Sequence, residues 1–342
     1  MNTSSKLKKL LNGNKSIIVP GVHDPMSAKI FQDSGFDVLF AGGFSLSAST
    51  LGVPDIGLLT MSENIERVKR ITSHIDIPLI ADMDTGYGNP INVIRTVKES
   101  INAGASAIIL EDQSWPKRCG HMEGKSVISM EEHVAKIKAA DYARKNSDLV
   151  IIARTDSRGT HNLDEAIKRG KALEKSGADV IFIEAPQTEE EIKTIGKEIN
   201  KPLLINLIEG GKTPSLSINE FESLGFKIIL HPLTSIFATA YSMKKLANHI
   251  KSNSTTKNYN EILDFNEFEK VVDLEKYKES IVCFDKALKI DPKYPSAWYD
   301  KAIGLTRLKK YKEALACNKK AIKLYPKWSQ AWNNMGDGLF HL

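Results

Sequence analysis

The sequence has few cysteines and no long apolar run, and each of these two features excludes a class of protein. Its three cysteines, Cys119, Cys283 and Cys317, are too few and too far apart for a disulfide framework, so we expect a reducing, cytoplasmic setting. No stretch approaches the roughly 20 apolar residues of a membrane-spanning helix, so we expect no membrane partner. The apolar residues of segment 6–11 stop at Asn12, which predicts a short amphipathic helix rather than a signal peptide.

A strong excess of one charge is also lacking. The formal net charge is only +5 over 342 residues, and the basic residues are spread along the chain. This argues against nucleic acid as the main partner. Because the length exceeds that of a comfortable single domain, we expect one large domain and an appendage.

What the sequence does contain is a series of short Ile, Val and Leu runs, each followed by a polar residue or a turn. Their uninterrupted apolar character is typical of parallel strands buried on both faces. Amphipathic helical segments separate them, and several end in a glycine that suits a helix C-cap. The predicted strands are residues 16–20, 37–41, 78–82, 107–111, 149–154, 180–184, 202–206 and 227–231. Eight such units predict an α/β fold, the (β/α)8 or TIM barrel; an open doubly wound sheet is the alternative, but its glycine-rich dinucleotide motif is missing.

A 34-residue repeat follows the predicted barrel. Tyr277, Ala287, Pro292 and Trp298 recur 34 positions later as Tyr311, Ala321, Pro326 and Trp332. The period and these residues resemble the tetratricopeptide repeat, a helix-turn-helix unit. We therefore predict three regions: the barrel over 1–250, a linker and an apolar helix over 251–275, and helical repeats over 276–342. Both a structural role and a partner-binding role remain open for the repeats.

Polar residues end most of the predicted strands. In a barrel, the carboxyl ends of all strands meet at one mouth, so we expect these side chains to converge there. They are Asp82, Asp84, Glu111, Arg154, Glu184, Asn206 and His231. Acids, an arginine and an amide together suit a metal-assisted reaction on a carboxylate.

Two motifs indicate what this chemistry is. Asp82 and Asp84 stand at i and i+2, so at the end of a strand both carboxylates can reach one hard cation; a solvated strand end is the alternative. Cys119 lies in the segment Lys117-Arg118-Cys119-Gly120-His121. Neighbouring positive charge lowers the pKa of a thiol and makes proton exchange near neutral pH feasible, whereas an inert cysteine would be a small buried hydrophobe.

The segments 81–88, 111–121 and 153–156 resemble the isocitrate lyase/phosphoenolpyruvate mutase superfamily, and the similarity spans roughly residues 5–275. The Lys-Arg-Cys-Gly-His segment resembles the carbon–carbon lyase branch, since phosphonate-handling mutases lack the cysteine. Segments 206–214 and 231–234 are similar to the dimethylmalate lyase group. The resemblance implies cleavage of malate-type acids or of oxaloacetate, a Mg2+ or Mn2+ cofactor, and a homotetramer joined by a C-terminal helix, here around residues 264–274.

The resemblance also implies a role for individual residues. Asp82 and Asp84 would bind the metal, and Glu111 would hold metal-bound water. Cys119 would be the general acid, with Lys117 and His121 tuning the thiol or binding a carboxylate, and Arg154 would bind a carboxylate and stabilise oxyanion charge. The expected substrate contacts are Gly42, Gly43, Phe44, Asp55, Gly120, Glu184 and Asn206. Structural alternatives are a barrel ion pair for Arg154 and satisfied core positions for Glu184 and Asn206.

Three departures from the methylisocitrate lyase pattern concern the substrate. Those enzymes typically have Ser-Gly-Gly where Gly42-Gly43-Phe44 stands, Thr at the position of Ile208 and Arg at that of Phe237. A third substrate carboxylate would then be buried without partners, which is costly. We therefore expect a dicarboxylate with an apolar substituent, against which Phe44 and Phe237 pack.

The sequence thus predicts a metal-dependent lyase that splits a malate-type 2-hydroxy dicarboxylate into a 2-oxo acid and a carboxylate by retro-aldol chemistry. Hydrolysis or decarboxylation of oxaloacetate in the same site is the closest alternative. An alternative of another class is a scaffold that binds a protein partner through the helical repeats. The intact Asp82, Asp84, Cys119 and Arg154 argue against an inactive barrel.

Overall fold

The computed structural model describes residues 2–120 and 122–341, which divide into two compact units with a boundary after Lys257. The first unit contains eight strands that pair in sequence order, all in parallel, and β1 also pairs with β8, so the sheet closes into a barrel. The strands are β1 Ile17–Val22, β2 Leu39–Ala41, β3 Leu79–Asp82, β4 Ala107–Glu111, β5 Val150–Thr155, β6 Val180–Ile183, β7 Leu203–Asn206 and β8 Phe226–His231. The predicted TIM barrel is confirmed.

Helices precede and follow the strands of the first unit. They are α1 Thr3–Leu11, α2 Pro25–Asp33, α3 Gly43–Leu51, α4 Met61–Thr72, α5 Pro90–Asn102, α6 Met130–Ala143, α7 Ser157–Thr160, α8 Leu163–Glu174, α9 Glu189–Glu198, α10 Ile218–Ser223 and α11 Thr234–Asn253. Gly35, Gly104, Gly177 and Gly225, the glycines predicted to end helices, all have positive φ. This conformation favours glycine and turns the chain from a helix into the next strand.

The barrel has two apolar layers because successive strand residues face opposite sides. Inside the barrel, residues such as Ile80, Ile109 and Phe182 pack on one another, whereas their neighbours in the sequence pack against the helices. Helix α1 adds the buried Leu7 and Leu11 to the inner cluster. No helix in the described residues combines the length and the apolarity needed to cross a membrane.

The second unit is helical. It contains α12 Phe265–Val271, α13 Leu274–Ile290, α14 Pro295–Arg307, α15 Tyr311–Leu324 and α16 Ser329–Phe340. The sequence repeat is visible in its hydrogen bonds: Trp298 Nε1 donates to Pro292 O at 2.9 Å, and Trp332 Nε1 donates to Pro326 O at the same distance. Ala302, Leu305, Ala314 and Cys317 form a small core between the helices. This confirms the predicted helix-turn-helix repeat.

Candidate active site

The alternation of the strands places the predicted polar residues at the barrel mouth. Ile80, Ile109, Ile152, Phe182 and Leu204 point into the barrel, so the residue two positions later on each strand or just beyond its end faces the same way. Those residues are Asp82, Glu111, Arg154, Glu184 and Asn206, and all of them line one cavity. The prediction that strand-end side chains converge holds for these five.

The cavity also brings together residues from three loops. The predicted site residues Gly42, Gly43, Phe44, Asp55, Lys117, Cys119 and Gly120 line it as well. Asp84 is buried beside the cavity, where its carboxylate contacts Lys117. His121 lies outside the described residues. His231 ends β8 but is not among the residues lining this cavity, so its predicted convergence with the other strand ends is wrong.

The two aspartates of the β3 end are held by the backbone. Asp82 Oδ1 accepts a hydrogen bond from Asp84 N at 3.0 Å, and Asp82 Oδ2 accepts one from Gly43 N at 3.4 Å. Asp84 has a φ of 50°, a left-handed conformation that aspartate tolerates better than most residues. Burial raises the pKa of Asp84 to about 6, although the ammonium of Lys117 opposes this shift.

Lys117 reaches from the β4–α6 loop to the aspartates. Its Nζ lies 2.6 Å from Asp84 Oδ1 and 2.5 Å from Asp55 Oδ1, and its side chain is only 3% exposed. Burial alone would lower the pKa of Lys117, but Asp84 and Asp55 outweigh it and raise this pKa well above its ordinary value. The lysine is therefore charged and neutralises two buried carboxylates.

Arg154 lies at the centre of a second charged cluster. Its Nε and Nη2 donate to the two oxygens of Asp156 at 2.9 and 3.1 Å. Its Nη1 lies 3.3 Å from Glu111 Oε2, and its Nη2 lies 3.7 Å from Glu184 Oε1. The guanidinium also stands over the ring of Phe182, 5.3 Å from the ring centre. These contacts fix its orientation at the cavity wall.

Cys119 and Gly120 lie on the loop that covers this cluster. The backbone N of Cys119 donates to Asp55 O at 3.1 Å. A Cβ added at Gly120 would overlap Glu184 Oε1 and Arg154 Nη2, so the glycine is required for the close approach of the loop to the floor. The loop thereby brings Cys119 to the cavity that Arg154, Glu184 and Asn206 line.

One wall of the cavity is apolar. Phe44 lines it together with Phe40, Ile208, Pro232 and Leu233. Phe237 is not among the lining residues, but its ring packs edge-on against Phe44, with 6.0 Å between the ring centres. Phe237 therefore supports Phe44 instead of facing the cavity directly.

Two residues of the site were not predicted from the sequence. Asp156 holds Arg154, and Lys125 Nζ in turn donates to Asp156 Oδ1 at 2.8 Å. The signal for Asp156 was its i+2 spacing from Arg154, the same spacing that relates Asp82 to Asp84. Lys125 gave no such signal, since its contact depends on how the loop folds.

The site contains buried oxygens that are suited to bind a cation or a polar ligand. Glu111 Oε1 and Asn206 Oδ1 are buried, and neither accepts a hydrogen bond from the described residues. Burial raises the pKa of Glu111 well above its ordinary value, although Arg154 opposes this. Within residues 2–120 and 122–341, no three His, Cys, Asp or Glu side chains cluster closely enough to hold a metal ion by themselves.

Comparison with known proteins assigns the family. The family profile described as phosphoenolpyruvate phosphomutase matches residues 7–251, which is more than half of the chain. The chain belongs to the phosphoenolpyruvate mutase/isocitrate lyase superfamily. A tetratricopeptide repeat profile matches residues 272–294.

The curated relatives include a named lyase, a petal death protein and a named mutase. The chain is 46% identical to 2,3-dimethylmalate lyase of Eubacterium barkeri over 280 residues, which cover 82% of this chain and 97% of the relative. It is 41% identical to the petal death protein of Dianthus caryophyllus, with 80% and 86% covered. It is 42% identical to carboxyvinyl-carboxyphosphonate phosphorylmutase of Arabidopsis thaliana, with 80% and 83% covered. We conclude that the chain is a carbon–carbon lyase of this superfamily.

Solved structures share the fold. Oxaloacetate acetylhydrolase in complex with 3,3-difluorooxalacetate has a TM-score of 0.78 and 33% identity, covering 81% of this chain and 95% of the other. Phosphonopyruvate hydrolase in complex with oxalate and Mg2+ has a TM-score of 0.74 and 30% identity, covering 85% and 99%. The organic ligands of both structures are small diacids.

Proposed function

We propose that the chain cleaves a malate-type 2-hydroxy dicarboxylate carrying an alkyl substituent, giving a 2-oxo acid and a carboxylate. The observation that carries this proposal is the single cavity that joins Cys119 to Arg154, Glu184 and Asn206, with Asp82 and Glu111 beside them. A thiol, a fixed guanidinium and buried carboxylates are the groups that this retro-aldol reaction needs. The 46% identity to a 2,3-dimethylmalate lyase supports the same reaction class.

Arg154 would bind one substrate carboxylate. Its guanidinium is oriented by Asp156 and Phe182 before any ligand arrives, so little order has to be created on binding. Asn206 Nδ2 donates to Glu184 Oε2 at 3.1 Å, which leaves the Asn206 carbonyl oxygen for a substrate hydroxyl. These residues form the polar side of the proposed binding site.

A divalent cation fits the acidic side of the cavity. Asp82, Asp84 and Glu111 supply hard oxygen donors, and the buried Glu111 Oε1 has no hydrogen-bond donor among the described residues. Mg2+ typically binds one or two carboxylates and keeps several water ligands. These residues therefore suit Mg2+ better than a metal ion whose ligands must all come from the protein. When bound, Mg2+ or Mn2+ would stabilise the negative charge that develops on the 2-oxo acid unit.

Cys119 would complete the reaction by donating a proton. When the carbon–carbon bond breaks, its electron pair moves to the carbon next to the second carboxylate, and that carbon must be protonated. Cys119 lines the same cavity as the strand-end residues and belongs to the β4–α6 loop. Its thiol would supply this proton, while the loop excludes bulk water from the reacting carbon.

The apolar wall favours an alkyl-substituted substrate. Phe44, Ile208 and Leu233 line the cavity and offer no partner for a third carboxylate. Phe237 backs Phe44, so no cation is available at that position either. Burying an unpaired carboxylate there would be costly, whereas an alkyl group would gain contact with the ring.

The test is a substrate screen with purified full-length protein. Malate, mono- and dialkylmalates, oxaloacetate and methylisocitrate are incubated with Mg2+, and 2-oxo acid products are quantified by chromatography. We expect dialkylmalates to be cleaved fastest and methylisocitrate slowest. The test variant is Arg154→Lys, which should reduce cleavage. The matched control is Lys138→Ala on the exposed face of α6, which should not. Absence of cleavage of every alkylmalate, or full turnover in excess chelator, would contradict the proposal.

Oxaloacetate hydrolysis or decarboxylation is the second candidate. It is favoured by the similarity to oxaloacetate acetylhydrolase over 81% of this chain. The same screen separates the two, because oxaloacetate hydrolysis yields oxalate and acetate, decarboxylation yields pyruvate, and alkylmalate cleavage yields a larger carboxylate. Formation of oxalate faster than any 2-oxo acid would favour the hydrolase.

We also propose that the protein is a homotetramer in a reducing compartment such as the cytoplasm. On α12, Phe265 and Phe268 are 79% and 46% exposed, which is unfavourable unless another surface covers them. The proposed role of Cys119 requires a reduced thiol. The tetratricopeptide repeats offer a surface for a further protein partner, and a pull-down with residues 274–342 deleted would test that role.

A further inference from the structure

The β4–α6 loop, residues 112–129, is fixed at its base independently of the site. Its two ends pair with each other: Ile128 N donates to Asp112 O and Ser114 N donates to Ser126 O, both at 2.8 Å. Arg169 from α8 braces the same base, since its Nη1 donates to Asp112 Oδ2 at 2.9 Å and to Ile128 O at 2.8 Å. The base therefore does not depend on contacts made by the tip.

Besides the contacts of Lys117 and the hydrogen bond from Cys119 N to Asp55 O, one further side chain fastens the tip to the barrel floor. Lys125 Nζ donates to Gly120 O and to Asp156 Oδ1, and its side chain is only 6% exposed. Asp156 also accepts hydrogen bonds from Nε and Nη2 of Arg154. One ammonium therefore links the backbone next to Cys119 to the carboxylate that orients Arg154.

The charge balance around Asp156 shows that this link is favourable. Burial alone would raise the pKa of Asp156, but Arg154 and Lys125 outweigh it and lower the pKa to about 2. Asp156 is fully buried, and its own backbone N donates a hydrogen bond to Asp112 Oδ1 at 2.8 Å. Without Lys125, the Gly120 carbonyl and part of the Asp156 charge would lose their partner.

We propose that Lys125 is a positioning residue that holds the Cys119 segment closed over the cavity by fastening Gly120 to Asp156. The importance of closure for turnover rests on the proposed lyase function, whereas the closure itself does not. When Lys125 is removed, the tip opens while the base, which Arg169 holds, stays in place. A residue that merely stabilised the barrel would lower the unfolding midpoint and leave the exposure of Cys119 unchanged.

The three cysteines make this measurable without any substrate. The full-length protein is treated with iodoacetamide, and alkylation of each cysteine is followed by peptide mass spectrometry. Cys283 is exposed and Cys317 is buried, and both lie in the helical unit, so they serve as internal fast and slow references. The variants are Lys125→Met, Lys125→Arg and, as the matched control, Lys138→Met.

We expect Lys125→Met to speed alkylation of Cys119 by about tenfold or more, since a charge-assisted hydrogen bond is lost from the closed state only. Loss of a positive charge by itself would lower the thiolate fraction and slow the alkylation of Cys119. The direction of the rate change therefore distinguishes opening of the tip from a purely electrostatic effect. Lys125→Arg should retain most of the protection, and Lys138→Met should match the parent.

The proposal is overturned if Cys119 in folded Lys125→Met reacts within about twofold of the parent rate. A rate change of that size corresponds to a free energy too small to indicate opening of the tip. If Lys125→Met does not fold, Lys125→Gln decides instead, because it keeps a donor for Gly120 but lacks the charge for Asp156. Turnover is a separate measurement: a lower kcat with little change in KM links closure to chemistry. An inactive parent protein with a Lys125-dependent Cys119 rate would contradict the lyase function and leave the positioning role supported.

Discussion

Lys117 Nζ lies 2.6 Å from Asp84 Oδ1, and the same ammonium lies 2.5 Å from Asp55 Oδ1. The two carboxylates are both buried, so each depends on a positive charge for its ionised form. Asp84 is also one of the three residues that we propose for the divalent cation. Lys117 and a metal ion therefore contribute to neutralising the same carboxylate.

We predict that Lys117→Met lowers the free energy of unfolding of the barrel unit by about 3–5 kcal/mol, because two buried carboxylates lose their partner. Mg2+ can take over part of this neutralisation, so added Mg2+ should raise the unfolding temperature of the variant more than that of the parent. Thermal unfolding with and without Mg2+ measures both effects. Lys138→Met is the control, and equal Mg2+ responses in variant and parent would argue against a cation site at Asp84.

Cys119→Ser should reduce turnover by roughly 100-fold or more, because a serine hydroxyl is a far weaker acid than a thiol. KM should change little, since the proton is needed only when the carbon–carbon bond breaks. Steady-state kinetics on the best alkylmalate give both parameters. Cys283→Ser, at an exposed position of the helical unit, is the control. Near-normal turnover of Cys119→Ser would exclude the thiol as the proton donor.

Gly35→Ala and Gly336→Ala should have opposite effects on stability. Gly35 has a φ of 90° with nothing within 4 Å of an added Cβ, so alanine brings backbone strain of about 1 kcal/mol. Gly336 lies inside α16 with equally open surroundings, so alanine should stabilise that helix by about 0.5–1 kcal/mol. Urea unfolding, monitored separately for the two units, checks both signs. If both variants changed the free energy of unfolding in the same direction, the positive φ of Gly35 would not determine the effect of Gly35→Ala.

Protonation of His133 should reduce the stability of the barrel unit in mild acid. Burial lowers the pKa of His133, although Asp112 opposes this, so the folded state binds fewer protons than the unfolded state below a pH of about 6.5. Its contribution is complete above that pH and is lost as the pH falls towards the folded pKa. In His133→Gln this part of the pH dependence should disappear. The contribution of Asp84 stays the same and has the opposite sign, because its raised pKa makes the folded state bind more protons than the unfolded state. Parallel curves of unfolding free energy against pH for parent and variant would contradict the assignment.

Phe265→Asp combined with Phe268→Asp should dissociate the proposed tetramer, because charges on α12 oppose burial of its apolar face. Light scattering coupled to size-exclusion chromatography measures the change in mass. Ile91→Asp is the matched control, since Ile91 is 76% exposed on α5. A monodisperse monomer for the parent chain would overturn the oligomer itself.

Most of the barrel could be predicted from the sequence because its strands are buried on both faces. A run such as 149–153 is then apolar throughout, and the next inward-facing position, as at Arg154, is where the core ends and the mouth begins. The contacts of Lys117 and Lys125 could not be predicted in this way. They depend on the path of an irregular loop, which brings Lys117 to Asp55, about sixty positions away in the sequence. Phe237 was placed at the cavity by analogy with other lyases, whereas the structure puts Phe44 in between.

The brace that Arg169 forms at the base of the loop has a consequence for the order of events in a catalytic cycle. With Asp112 and Ile128 both bound by one guanidinium, any opening movement is confined to the part of the loop between these two residues. A short swing can be repeated rapidly, but both fragments of a cleaved acid must leave through the same gap. Under the lyase proposal, product release, rather than cleavage of the carbon–carbon bond, would then be the rate-limiting step.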